Sequence, residues 1–368
     1  MNWKIKYSIL AVAFWLLLFI GWEWWRSYPR VRAVPSSSSE SKNPKIDSIL
    51  IQSVTEFLIP GIAVGIVQDE KIAYLKAFGY SNLATKELMS VDSPLPIASV
   101  SKIFTSLDLA SLCIERSIPI DTSINVLLPR GKKLPNDFNS ITLRDLLTHS
   151  SGLGDTRNVR NLFISEEKRS LELLTTGLRS PKPESKEYNY ADMNFDLIGY
   201  AIEINSKQSF EQHSRRVLSA AGMEKSFFAE QDYPELYQGY KQTFIWKRIQ
   251  PAKLKYDRYP SPSSGLISTA HDLSRALLHL SRGNMGAYEN ELKWLQRDTN
   301  VPAGFQKIIL NDTVFIGHFG EQGGFSSILL YSSDLEIGIV LLSNSADKND
   351  FRKHISEQIL HTLTHRAK

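Results

Sequence analysis

FQKIILNDTVFIGHFGEQGGFSSILLYSSDLEIGIVLLS, residues 305–343, decides the fold. Its apolar runs at 305–310, 313–317, 325–331 and 336–343 have strand length, and each is bounded by Asn, Asp, Gly or Ser, the residues of turns. Near the other end, 62–67 and 72–78 are also β-rich, and Gln68-Asp69-Glu70-Lys71 between them reads as a hairpin turn. From about 99 to 280 the pattern is mostly helical with long polar loops. A helix over about 46–58 is stopped by Pro60-Gly61, and an amphipathic helix covers about 350–365. Strands at both ends around a helical middle imply an α+β fold: one antiparallel sheet built from both termini, flanked by helices, with a mostly helical inserted lobe. An active site is expected in the cleft between the two parts.

The chain has 368 residues, of which 42% are hydrophobic and 22% charged, a balance that excludes general disorder. The formal charge of +4 does not mark a nucleic-acid surface, because residues 1–45 carry seven basic side chains against Glu23 and Glu40. The remainder is close to −1, so no nucleic-acid partner is expected. The single cysteine, Cys113, excludes an intramolecular disulfide; within Leu112-Cys113-Ile114 it reads as a small buried hydrophobe.

Residues 8–25 are nearly all apolar, interrupted late by Glu23, and Trp22, Trp24 and Trp25 suit a membrane interface. The segment reads as a membrane anchor (residues 1–30), with a cleaved signal peptide as the alternative; bulky aromatics, not small residues, follow its apolar core. Lys4 and Lys6 before it and Arg26, Arg30 and Arg32 after it leave its orientation open. Residues 31–44, rich in Ser and Pro, read as a flexible linker, and 45–368 as the catalytic domain.

Three elements in the domain carry chemistry. Ser99-Val100-Ser101-Lys102 places a hydroxyl and an amine three residues apart on one helix face, where the amine activates an otherwise poor nucleophile. The same spacing recurs at Ser39–Lys42, Ser165–Lys168 and Ser345–Lys348. What sets Ser99 apart is its place between the extended Pro94-Leu95-Pro96-Ile97 and the apolar helix that follows; without the other motifs, the reading as an ordinary N-cap serine is the better one. Tyr190-Ala191-Asp192 precedes a helix and offers a phenol for proton relay, or else a half-buried ring with Asp192 as helix cap. Gly317-His318-Phe319-Gly320-Glu321-Gln322-Gly323-Gly324 offers a strand edge with room for a substrate backbone, or else a turn between two strands.

In this order the three motifs resemble the serine β-lactamase and penicillin-binding protein superfamily, closest to its class C β-lactamase, D-aminopeptidase and esterase branch. The likeness runs from about 62 to 342 and includes Leu143-Arg144-Asp145-Leu146-Leu147-Thr148-His149-Ser150-Ser151-Gly152-Leu153 and the stretch 264–273. It implies a β-lactamase/transpeptidase-like fold and a serine hydrolase working through an acyl-enzyme. Ser99 would be the nucleophile, with Lys102 and Tyr190 moving its proton. The N–H groups of Ser99 and Glu321 would form the oxyanion hole, with His318, Gly320 and Asp192 lining the substrate site. His149 and Asp145 would brace the site, and no metal or organic cofactor is implied. The resemblance also implies a small-molecule or peptide-like acyl substrate and, with the anchor, an extracytoplasmic catalytic domain.

The sequence departs from the family pattern at Asp192, where asparagine is usual, and at His318 and Phe319, where β-lactamases carry lysine and threonine. These departures favour an ester, amide or peptide-like substrate over β-lactams. The rival readings are a sensor or scaffold that binds without turnover, an α/β-hydrolase (no Gly-x-Ser-x-Gly elbow is present) and a metallohydrolase built on His361 and His365.

Overall fold

The computed structural model describes residues 3–32, 34–36, 43–155, 170–171, 186–231, 233, 236–256, 259–282, 286–297 and 299–364. Of the expectations above, Ser37–Ser39 and Lys42 of the linker, Ser165, Lys168 and His365 lie outside them. The chain begins with helix α1 (Trp3–Trp25) and α2 (Pro44–Glu56), then strands β1 (Gly61–Gln68), β2 (Lys71–Asn82), β3 (Glu87–Leu88) and β4 (Leu95–Pro96). The helical middle comprises α3 (Ser101–Glu115), α4 (Ile124–Leu127), α5 (Leu143–Leu147), α6 (Asp192–Ser206) and α7 (Phe210–Ala220). Short strands β5 (Phe227–Phe228), β6 (Tyr240–Gln242), β7 (Ile249–Pro251) and β8 (Leu266–Ser268) lead to α8 (Ala270–Ser281) and α9 (Glu289–Gln296). The chain closes with β9 (Gln306–Leu310), β10 (Thr313–Gln322), β11 (Phe325–Ser332), β12 (Ile337–Ser343) and α10 (Phe351–Thr364).

The main sheet has the order β3-β2-β1-β12-β11-β10-β9, and every neighbouring pair is antiparallel. β1 pairs with β12 from Ile62 opposite Ser343 to Gln68 opposite Ile337, so both chain ends do build one sheet. The near-continuous apolar character of β1, β11 and β12 is explained by burial on both faces. Ile62, Val64 and Ile66 point into one core with Ile46, Leu50 and Val54 of α2 and Phe351, Ile355 and Ile359 of α10. Ala63 and Val67 point the other way, into a core that holds Leu273, Ala276 and Leu277 of α8. α8 lies so close that a Cβ on Gly65 would sit 1.9 Å from the Ser274 hydroxyl.

α3 runs through the middle of the helical lobe, with twelve of its fifteen residues buried, polar Ser101, Lys102, Thr105, Ser106 and Asp108 among them. Its buried Asp108 pairs with His213 of α7 at 2.7 Å, and Cys113 is fully buried, as its neighbours suggested. Of the stretch read as a linker, Val31 is buried and the Pro35 carbonyl accepts from Gly79 N–H at 2.8 Å. These residues therefore lie against the domain instead of spanning freely. The third motif also differs from the turn considered above. β10 continues through it to Gln322, paired with β11, and only Gly323-Gly324 turns, both at positive φ.

Candidate active site

Ser99 lies in a single 3-10 turn, Ala98–Val100, immediately before α3, rather than in the helix itself. Its side chain makes no cap bond; Ala98 before it sits at φ +47° while fully buried, a strained setting for a residue with a Cβ. The turn is held from behind by Ser327 of β11, whose hydroxyl donates to the Ile97 carbonyl at 2.6 Å.

Lys102, in the first turn of α3, is wholly buried. Its Nζ donates to Ser99 Oγ at 3.2 Å, to Asp192 Oδ1 at 2.7 Å and to the Ser263 carbonyl at 2.9 Å. The three acceptors engage the three donor positions of its Nζ inside the protein. Asp192 begins α6 but does not cap it; its carboxylate is spent on Lys102 across ninety residues of sequence. Tyr190 Oη donates to Ser99 Oγ at 3.0 Å, and the Lys102 Nζ lies 4.9 Å from the Tyr190 ring centroid. Ser99 Oγ therefore receives both a phenol and an amine.

Tyr190 is positioned by His149, on which its ring stacks at 4.3 Å and 29°. His149 Nδ1 accepts from Ala191 N–H at 3.2 Å and contacts the Asn194 amide at 3.1 Å. The Asn194 carbonyl oxygen in turn accepts from the Ser151 hydroxyl at 2.5 Å. Asp145 completes a capping box with Thr142 at the start of α5. His149 and Asp145 thus brace the loop that carries Tyr190 and touch neither Ser99 nor Lys102 in a relay.

β10 supplies the opposite wall. Gly320 packs against the turn that carries Ser99 so closely that a Cβ there would lie 2.2 Å from the Ile97 carbonyl and 3.1 Å from Ser99 N. Glu321 follows it, and β9 pairs with β10 only as far as Gly317. Behind the strand, the Arg352 guanidinium of α10 bonds the Gly320 carbonyl, the Ser327 carbonyl at 3.2 Å and Asp347 at 2.6 Å, and reaches Glu321 Oε2 at 3.4 Å. His318 is buried, its Nδ1–H donating to the Phe319 carbonyl at 2.5 Å and its ring 6.3 Å from that of Tyr190. A cavity of about 290 Å³ opens here, walled by His149, Tyr188, Phe305, Gln306 and His318.

Burial, reinforced by the Lys102 charge, pulls His149 down to about 4 and His318 to about 3, so both are neutral near pH 7. Below 6.5 the unfolded chain takes up protons that these native imidazoles refuse, so stability present at neutral pH is lost as the pH falls from 6.5 toward 4. The loss is on the order of 3 kcal/mol for His149 alone at the end of that range. The midpoint of thermal unfolding is therefore expected to drop between pH 7 and pH 4.5, and to drop less in His318→Gln. Parallel pH profiles for the two proteins would contradict this.

Ser99, Lys102, Tyr190 and Asp192 thus meet, Gly320 abuts them, and Glu321 and His318 flank them on one strand. The Ser263 carbonyl, Ser327, Asn194 and Arg352 were not singled out in the sequence. Only Arg352 left a signal there, as a charge beside Phe351 on the apolar side of the last helix.

A family model described as Beta-lactamase matches residues 46–364. Protein flp of Staphylococcus aureus (strain MW2) is 24% identical over 318 residues, covering 82% of this chain and 62% of that protein. The chain thus spans less than two thirds of that relative's length. A beta-lactamase of Lysobacter lactamgenus is 24% identical over 382 residues, covering 91% of this chain and 95% of that one. Among solved structures, the D-amino acid amidase of Ochrobactrum anthropi SV3 superposes with a TM-score of 0.73 at 18% identity, over 89% of this chain and all of that one. The octameric penicillin-binding protein homologue of Pyrococcus abyssi superposes at 0.69 and 21% identity, over 88% and 77%. The chain belongs to the beta-lactamase family and has the fold of a β-lactamase-related serine hydrolase.

Proposed function

We propose that the protein is a membrane-tethered serine hydrolase that works through an acyl-enzyme at Ser99. The observation that carries this reading is the pair of donors on Ser99 Oγ, Lys102 Nζ at 3.2 Å and Tyr190 Oη at 3.0 Å. In the form that attacks, the Lys102–Tyr190 pair holds one proton fewer: the Tyr190 oxygen takes the Ser99 proton as Oγ bonds the acyl carbon and, half-exposed to the cleft, returns it to the leaving group. The backbone N–H groups of Ser99 and Glu321 hold the oxyanion, and water releases the acyl group by the reverse path. β10 beyond Gly317 has no strand on its outer side among the described residues, which suits an extended, peptide-like substrate.

The substrate is an ester, amide or peptide-like acyl compound in preference to a β-lactam. A neutral, buried His318 brings no cation to hold a ring carboxylate, and Asp192 adds a negative charge beside the nucleophile. The structural likeness to a D-amino acid amidase supports an amide-type substrate. α1, 23 residues long with a mean hydropathy of 1.9 and none of its apolar window buried, supports the tether. On this reading the catalytic domain lies outside the cytoplasm.

The test is hydrolysis of a chromogenic short-chain ester beside a chromogenic cephalosporin, by the wild type and Ser99→Ala. Ester turnover is expected to exceed cephalosporin turnover and to fall at least ~10³-fold in the variant. Turnover that survives in Ser99→Ala would overturn the nucleophile, and faster cephalosporin cleavage would overturn the substrate preference. No turnover of either would favour a protein that binds without hydrolysis.

A further inference from the structure

The hairpin β6–β7 ends in an apolar tip that the domain does not cover. Phe244 is 88% exposed, and Ile245 and Trp246 are each about 40% exposed. Such a cluster costs solvation in water unless something apolar meets it.

The tip is fastened to the last turns of α1. Glu23, read in the sequence as an interruption of the apolar segment, is only 2% exposed; its carboxylate accepts from the N–H groups of Phe244 at 2.5 Å and Ile245 at 2.9 Å. Trp246 Nε1–H donates to the Ile20 carbonyl at 2.9 Å, and its ring meets Trp24 edge-on at 5.0 Å. Arg248 lies 4.1 Å over the Trp24 ring and holds both the hydroxyl and the carbonyl of Ser27 at 2.8 Å. Tyr28 then exchanges backbone hydrogen bonds with Ile249 of β7. The hairpin and the end of α1 are one rigid corner.

Geometry sets the level of that corner. At ~1.5 Å per residue, the stretch from Trp3 to Trp22 spans close to the ~30 Å of a hydrocarbon core. Trp22, Trp24 and Trp25 then fall at the boundary with the headgroups, where indole rings are favoured. Phe244, Ile245 and Trp246 are tied to Ile20, Glu23 and Trp24, hence to the same level. Arg26 lies 4.9 Å over the Trp22 ring, Arg248 lies over Trp24, and Lys247 is in the tip itself, charges that a phospholipid surface attracts.

We propose that the tip of the β6–β7 hairpin inserts into the interfacial layer of the bilayer that α1 spans, giving the domain a second membrane contact. The inference rests on the tether reading of α1. It gives Glu23 a role, since its carboxylate satisfies the hairpin's N–H groups where they leave water. It also fixes how the cleft faces the membrane, because β6 is joined to the active-site strand. Tyr240 N–H donates to the Gly324 carbonyl at 3.1 Å, in the turn that ends β10.

The test uses the full chain in vesicles of phosphatidylcholine and phosphatidylglycerol, with an environment-sensitive fluorophore on one introduced thiol. The native Cys113 does not compete, being fully buried with its thiol pushed up to about 12. Labels are placed at Leu16→Cys, in the middle of α1, and at Phe244→Cys. Quenching by phospholipid brominated along its chains is expected at both, and at 244 most strongly with shallow bromines. A quenched label at 16 with an unquenched one at 244, whether in water or shielded by another protein, overturns the hairpin contact and leaves the tether standing. An unquenched label at 16 overturns the tether, and the hairpin proposal with it.

Discussion

Lys102→Met is expected to lower ester hydrolysis at least ~10³-fold while the chain still folds. Methionine nearly matches the lysine stem in volume, so α3 keeps its packing inside the lobe. What is lost is the Nζ that stands 3.2 Å from Ser99 Oγ and joins it to Asp192 and the Ser263 carbonyl. Without it, Tyr190 is the side chain left bonding Ser99 Oγ among the described residues, and the Lys102 donor is no longer there to favour the alkoxide. The Ser263 carbonyl also loses the lysine bond it makes inside the protein. A stability cost of about 1–3 kcal/mol follows, read as a lower unfolding midpoint. The decisive comparison is the rate of labelling by a fluorophosphonate, which reports attack by Ser99 without a later hydrolytic step. Labelling within tenfold of wild type would show that Lys102 does not activate Ser99.

Gly320→Ala is expected to reduce kcat by about 10²–10³ with a smaller change in KM. The added Cβ would stand 2.2 Å from the Ile97 carbonyl and 2.4 Å from the Ser327 hydroxyl, an impossible approach. β10 must therefore move away from the turn that carries Ser99, and the Ser99 and Glu321 N–H groups separate. An oxyanion hole acts by fixed donors aimed at one point, so a shift of a few tenths of an ångström is costly. Arg352 resists the shift by holding the Gly320 and Ser327 carbonyls from behind, which concentrates the strain on the turn that carries Ser99. Steady-state kinetics on a short-chain ester decide the matter. Unchanged kcat would mean that the hole is built elsewhere.

The sheet and the positions of its strands along the chain were legible because burial on two faces writes continuous apolar runs into β1, β11 and β12. The third motif was less so, for Gly317, Gly320, Gly323 and Gly324 look alike in sequence. In space they differ: Gly317 and Gly320 admit the close approach of the Leu329 and Ile97 carbonyls within a strand, and only the last pair turns. The motifs pointed to Ser99, Lys102 and Tyr190, and these side chains do meet. The reach of Asp192 to Lys102 was not legible, because an aspartate at a helix start has a local use as a cap, and only the tertiary fold offers it a better partner. Arg352 belongs to the same class, its role set by a strand thirty residues earlier in the chain.

The pairing of β1 with β12 has a consequence for synthesis. A ribosome adding ~5–20 residues per second needs roughly 15–60 s between the emergence of Ile62 and that of its partner Ser343. During that interval β1 and β2 are a hairpin with one apolar edge open; α8 reaches one sheet face only after residue 281 has emerged, and α10 follows β12 itself. Such an edge invites pairing with other chains, so the nascent protein is exposed to mispairing until its last strands arrive. The site matures last of all, since β10, which walls it, comes out after every residue that contacts Ser99 Oγ.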